Sequence, residues 1–207
     1  MPNSHKAIFD CASMASHVIC ADSGVDAALK AGCRIDKVYG DLDSISEDGL
    51  SFIKANNIPL EVFPCEKDMT DTELVLSRVT TPNVVLFCAL KGRIDHVMAN
   101  VHMCARMKLS GLNVLVTDGE AQIYFLRGGE KLVFEASCEH EMVSLLPADL
   151  STPVTGVTTK GLYYELTDAT LKFGSSLGVS NYIKAPGTFC EISIKSGIMG
   201  VYVVPEE

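Results

Sequence analysis

Tyr39-Gly40-Asp41-Leu42-Asp43-Ser44 is the stretch on which the reading of this chain turns. A short apolar run, Lys37-Val38-Tyr39, leads into it and a helical pattern follows, so two carboxylates and a hydroxyl stand at the mouth of a strand. Side chains alternate faces in an extended backbone, so Asp41 and Asp43 are expected to point the same way. Two like charges that close are unfavourable unless a cation lies between them. A divalent metal with oxygen ligands meets that need. A turn running into a helix cap accounts for Gly40, one Asp and Ser44; it does not require the second carboxylate.

Upstream, a helix is expected from Lys6 to Ala15 and a strand over His17–Ala21. Asp22-Ser23-Gly24 then leads into a helix, Val25 to Ala31, that Gly32 can end. Downstream, Ser44 and Glu47 have capping-box spacing for a helix running toward Asn56, and Leu60–Phe63 is a third strand. Thr70 and Glu73 repeat the capping-box spacing, with Met69 and Leu74 placed as a hydrophobic staple. Val84–Ala89 reads as a fourth strand, apolar throughout and of the buried parallel kind. Gly92–Asp95 is a loop, His96–Leu109 a helix and Asn113–Val116 a fifth strand. This alternation predicts an α/β fold, a mostly parallel sheet with helices on both faces.

Ligands of such sheets bind outside the carboxyl ends of the strands. Asp22-Ser23, Asp41–Ser44, Lys67–Asp71, Arg93–His96 and Thr117-Asp118 all fall there. Asp71 in a first helical turn suits the helix dipole, but Lys67 and Asp68 are not explained by it. Their functional reading puts Asp68 and Asp71 on a metal, and Lys67 with the helix N-terminus on phosphate oxygens. Arg93 has the planar fork that suits phosphate, and Asp95 is expected to cap the helix behind it. No Walker loop, no Gly-x-Gly-x-x-Gly and no nucleophilic-serine elbow is present.

After Gly119 the texture changes to short β-rich runs divided by Gly, Pro and Asp turns: Gln122–Leu126, Lys131–Glu135, Met142–Leu146, Val154–Leu166, Thr188–Ile194 and Met199–Val204. A small sandwich-like all-β domain is expected there, giving an α/β domain over 1–119 and a β domain over 120–207. Within it, turn and strand chemistry accounts for Gly161-Leu162-Tyr163-Tyr164, with one ring in the core and one outside, and for Gly174–Asn181.

The 207 residues include 47% apolar and 21% charged, and the formal net charge is −9. That charge argues against non-specific nucleic-acid binding. No apolar run spans a bilayer and the N-terminus lacks a signal-peptide layout, so no membrane partner is expected. Eight cysteines without a Cys-x-x-Cys pair point to a reducing cytoplasm.

In this order, Asp22-Ser23-Gly24, Gly40–Ser44, Lys67-Asp68-Met69-Thr70-Asp71-Thr72-Glu73, Gly92-Arg93-Ile94-Asp95-His96-Val97-Met98-Ala99-Asn100, Gly161–Tyr164 and Gly178-Val179-Ser180-Asn181 resemble the thiamine pyrophosphokinase family. The likeness implies an α/β nucleotide-binding domain followed by a thiamine-binding β-sandwich, working as a homodimer with substrate between subunits. It implies transfer of the pyrophosphoryl group of ATP to the hydroxyethyl group of thiamine, giving thiamine diphosphate and AMP. By resemblance, Asp41, Asp43 and Asp71 hold Mg²⁺ with support from Asp68. The nucleotide is positioned by Asp22, Ser44, Lys67, Thr70, Arg93, Asp95, His96 and Asn100, with Asp43, Asp68, Asp71 and Arg93 nearest the chemistry. Tyr164, Ser180 and Asn181 form the thiamine pocket. For a general base, Asp68, Asp71 or no protein group are all open.

Three departures from the family pattern stand out. Leu90-Lys91 replace glycines ahead of the Gly-Arg run, Tyr164 stands where many relatives have tryptophan, and the family's first strand before Pro2–His5 is expected to be missing. Competing readings are a pyrophosphokinase for another alcohol such as a pterin, a haloacid-dehalogenase-like phosphohydrolase with Asp41 as nucleophile, and a non-catalytic sensor. The phosphohydrolase would need a later lysine and a distal acidic pair at further strand ends, and no convincing pair of that kind follows residue 119.

Overall fold

Helices and strands alternate up to Thr117, and strands alone follow. The computed structural model describes residues 3–64, 68–136 and 141–205, so Lys67, one of the expected phosphate contacts, lies outside the described residues. The first layer holds α1 (Asn3–Met14), β1 (Ile19–Ala21), α2 (Gly24–Ala31), β2 (Lys37–Gly40), α3 (Glu47–Ala55) and β3 (Leu60–Val62). The three strands pair in parallel in the order β1-β2-β3. Val25, Ala28 and Ala31 of α2 pack with Val38 and Ile53, because an i, i+3, i+6 spacing puts them on one helical face. Gly32 ends α2 as expected, in the left-handed conformation (φ 74°).

Next come α4 (Asp71–Arg78), β4 (Asn83–Leu86), α5 (Ile94–Leu109) and β5 (Asn113–Thr117). β4 and β5 are parallel, and β5 turns back antiparallel onto β6 (Gln122–Arg127). The remaining strands are β7 (Lys131–Glu135), β8 (Met142–Pro147), β9 (Val154–Lys160), β10 (Ala169–Leu171), β11 (Asn181–Tyr182), β12 (Phe189–Ser193) and β13 (Ile198–Val204). One sheet runs β11-β8-β13-β6-β5-β4 and another β10-β9-β12-β7. Val143, Leu145, Met199 and Val201 of the first interdigitate with Val157, Cys190 and Ile192 of the second, forming the sandwich core. The α/β part and the antiparallel β part are both as the sequence indicates. The parallel strands, however, fall into a triplet and a pair, and the pair shares a sheet with β6. At that junction the buried ammonium of Lys108 on α5 meets Glu130 at 2.8 Å and also bonds Asn113.

Four local expectations are corrected. α3 is capped by Ser46, whose hydroxyl accepts the Gly49 N–H at 3.1 Å, and not by Ser44. Asp95 is not a cap: Arg93 occupies that position without a side-chain bond, and Asp95 lies in the first turn. β4 is not covered on both faces, for it edges its sheet and leaves Val85 42% exposed. β9 stops at Lys160 because Gly161 turns (φ 81°) where a side chain would strike the Phe189 carbonyl at 2.3 Å.

Candidate active site

The strand mouths carry the acids that the sequence singled out, in a more bent arrangement than a strand would give. Leu42 adopts φ 72° and Asp22 φ 41°, a left-handed backbone that costs roughly 1–2 kcal/mol at a non-glycine residue. Asp41 and Asp43 therefore do not share a face by strand alternation; the Asp43 N–H instead folds back to Asp41 Oδ1 at 3.2 Å. Asp22 accepts the Leu42 N–H at 3.4 Å, tying the end of β1 to the loop after β2. Gly40 is obligatory between them, since a Cβ there would lie 1.8 Å from Asp22 Oδ1.

Asp22 is hydrogen-bonded to Asp71, the first residue of α4, and feels the charge of Asp41. Burial foremost, then Asp71 and Asp41, push its carboxyl up to about 6 against the pull of the Leu42 N–H. Sequence assigned Asp22 to the nucleotide; the structure sets it against an expected metal ligand. Carboxylates so close must share a proton or a cation. Among the described residues no three His, Cys, Asp or Glu side chains are grouped so as to hold a metal ion, so the expected set of Asp41, Asp43 and Asp71 is not assembled as a three-carboxylate cluster. A carboxylate pair that leaves most positions to water and phosphate oxygens suits Mg²⁺, which favours such incomplete protein coordination.

Asp26 was not singled out in the sequence. It reaches from α2 to the Ser46 N–H at 3.1 Å and to the Ser46 hydroxyl, bracing the far end of the Gly40–Ser46 loop. Its only sequence signal is its place one turn after Asp22. Thr70 caps α4 by accepting the Glu73 N–H at 3.2 Å, as expected. Asp43, Ser44 and Asp68 are exposed.

The β4–α5 loop offers cations and no buried acid. Arg93 pairs with Asp95 through two bonds, 3.1 and 2.6 Å, in full exposure. Such a pair holds weakly against water, so both groups are at hand for a polar ligand. His96 is exposed beside them, and Asn100 holds the loop through the Ala89 carbonyl at 3.5 Å. Lys91, where the family resemblance breaks, lies 3.5 Å from Asp118 at the mouth of β5. Burial alone would raise the Asp118 carboxyl, but the N–H groups of Glu120 and Ala121 and the Lys91 ammonium hold it below the usual range.

A second constellation lies in the β part. Tyr163 stacks on Tyr182 (4.6 Å between ring centres, 20° between planes) and stands at 81° to Tyr164, 4.8 Å away. Tyr163 is thus half-exposed and not in the core, contrary to strand alternation. Asn181 is buried and faces the backbone: Oδ1 accepts the N–H groups of Tyr164 and Tyr182, both at 3.0 Å, and Nδ2 donates to the Tyr164 carbonyl at 2.7 Å. Ser180 is exposed with φ 59°, its N–H donated to the Ser144 hydroxyl at 3.0 Å. The expected pocket residue Tyr164 is open to solvent, whereas Asn181 holds the wall behind it.

Acids gathered where an α/β sheet binds its ligands, with an arginine on the next loop, are suited to a polyanion neutralised through metal. The molecule falls in the class of α/β proteins that handle phosphate groups, here joined to a β-sandwich with an aromatic corner. A sequence model described as the thiamin pyrophosphokinase catalytic domain matches residues 10–116, and one described as its vitamin B1 binding domain matches 131–199. The chain belongs to the thiamin pyrophosphokinase family. Thiamine pyrophosphokinase of Bacillus subtilis (strain 168) is 29% identical over 182 residues, covering 86% of this chain and 82% of that protein. Thiamine pyrophosphokinase 1 of Arabidopsis thaliana is 27% identical over 168 residues, 76% of this chain; the chain spans 61% of that protein's length. The crystal structure of the Bacillus subtilis protein matches with a TM-score of 0.81 at 24% identity, over 95% of this chain and 92% of that one, so the fold is shared.

Proposed function

We propose that this protein transfers the pyrophosphoryl group of ATP to thiamine, yielding thiamine diphosphate and AMP. The observation that carries the reading is the match of catalytic and vitamin B1 binding models, in that order, to the two halves of one chain. The thiamine hydroxyl oxygen attacks the β-phosphorus, the bond from that phosphorus to the α,β-bridging oxygen breaks, the hydroxyl proton leaves and AMP departs. Catalysis of this kind is mostly positioning and charge neutralisation. Asp41, Asp43 and Asp71, which form no three-carboxylate cluster by themselves, would hold Mg²⁺, which when bound neutralises phosphate charge; Asp22 stands against Asp71. Asp68, three residues before Asp71 and ahead of the Thr70 cap of α4, would support that set.

Arg93 leaves Asp95 to meet a phosphate oxygen bidentately, while His96, Asn100, Thr70, Ser44 and Lys67 border the nucleotide. Tyr164 offers its open face to the cationic ring of thiamine, with Ser180 at the rim. The chain works as a homodimer, with Ile94 and Met98 on the exposed face of α5 suited to a partner copy. The described cysteines are free, which suits the cytoplasm; no helix among the described residues is long and apolar enough to cross a membrane.

Purified protein incubated with thiamine and Mg-ATP is expected to form thiamine diphosphate and AMP in equal amounts by mass spectrometry, and to stop on chelation of Mg²⁺. Absence of thiamine diphosphate overturns the reading. Turnover of a pterin alcohol in its place moves the acceptor and keeps the chemistry.

A further inference from the structure

Three of the six tyrosines of this tryptophan-free chain meet in one cluster, although the site reading requires only Tyr164. They come from two segments separated in sequence, the Gly161–Tyr164 turn and β11. The segments are locked together at the backbone: Tyr163 donates its N–H to the Tyr182 carbonyl at 2.9 Å, and Asn181 grips Tyr164 from both ends. The backbone alone does not fix an exposed ring, however. A tyrosine 64% exposed is free to turn about its side-chain torsions unless a neighbour blocks them. Tyr163 supplies that block, standing edge-to-face with Tyr164 at 81°, while its own far side rests on Tyr182 in an offset stack. Edge-to-face and offset-stacked pairs are both favourable ring arrangements. Together they form a corner with one wall, Tyr164, left open.

We infer that Tyr163 and Tyr182 are positioning residues that hold Tyr164 as the platform for the planar cationic ring of the acceptor, setting how tightly that ring binds. This inference rests on the thiamine reading and specifies which side chains deliver its affinity. A pre-set ring loses little freedom when the ligand arrives, and affinity gained by pre-organisation appears in binding and not in the chemical step. The phosphate end of the reaction, built on Asp22, Asp41 and Asp71, should not feel the substitution.

The test starts with the wild-type enzyme turning over thiamine; if it does not, the functional reading fails and this inference is not what failed. With turnover established, Tyr163→Leu is expected to raise the KM for thiamine about tenfold, an effect in the range of a lost aromatic and cation–π arrangement. The kcat and the KM for ATP should stay within about twofold, since transition-state contacts are untouched. Tyr163→Phe should restore the thiamine KM, and Tyr182→Leu should raise it by a smaller factor. Thiamine alone should quench tyrosine emission of the wild type, with a Kd that shifts in parallel with KM across the variants. A thiamine KM for folded Tyr163→Leu within about twofold of wild type overturns the inference, as does a loss of kcat equal to the loss of kcat/KM. Should Tyr163→Leu not fold, Tyr182→Leu alone decides: an unchanged KM and quenching Kd reject the positioning role.

Discussion

The acids at the strand mouths and the tyrosine corner are built on opposite terms. In the first, two carboxylates are pressed into contact, and Asp22 and Leu42 hold backbone angles that most side chains avoid. Gly40 has no room for a methyl group. Each of these lowers the stability of the isolated fold. In the second, the amide of Asn181 spends both its ends on backbone partners and the rings stack on one another. Those contacts stabilise the fold and shape the site at once. A site that must concentrate negative charge works against the fold that carries it, whereas a site that recognises a flat ring can be made of the fold's own packing.

The sharpest way to break this contrast is Asp71→Asn. Turnover is expected to fall about 10³-fold, as when a group that stabilises transition-state charge is lost. The thermal midpoint in metal-free buffer at neutral pH should be kept or raised, because the carboxylate opposition is removed while Thr70 still caps α4. A midpoint several degrees lower would make Asp71 a structural residue and erase the distinction. Asn181→Ala probes the other side. It leaves the Tyr164 and Tyr182 N–H groups without their acceptor, and urea denaturation should record a loss of about 2–3 kcal/mol. A stability unchanged within error would mean that the corner is held by its rings alone.

What the sequence revealed of these two sites divides by range. Thr70–Glu73 was legible because a cap is a local device, and the strand mouths were legible because alternation of apolar runs and helices is periodic. The cap of α3 was not: Ser44 has capping-box spacing to Glu47, but the helix starts from Ser46, which Asp26 holds by reaching across from α2. The pairing of Asp22 with Asp71 is likewise a product of topology, since nothing near either residue names the other. One of Tyr163 and Tyr164 was read as a core ring because strand alternation was assumed, but Gly161 ends β9, the pair lies in a turn, and both rings are exposed. For β4, the apolar run Val84–Ala89 reads the same whether the strand is central or at an edge.

Whether the two sites belong to one cooperative unit turns on Lys108, and this sharpens the comparison by the smallest expected effect. Its ammonium is 9% exposed in the side chain and bonds both Glu130, in the β6–β7 turn, and Asn113, at the start of β5. Lys108→Met keeps the length of the side chain and removes the charge, and should cost about 1–3 kcal/mol, as a partly buried ion pair losing one partner does. Burial would raise the Glu130 carboxyl, but the Arg127 N–H and the Lys108 ammonium hold it below its usual 4.5. A carboxyl depressed in the fold adds stability that is present above its unfolded value and is lost as pH falls through its folded value. The gap in thermal midpoint between wild type and Lys108→Met should therefore be full at pH 7 and narrow as the pH falls below 4.5. If α5 and the sandwich unfold together, calorimetry of the variant shows one shifted transition; if two transitions separate, the acids and the tyrosines sit on independently stable parts, and the cost of the first site is borne by the α/β layer alone.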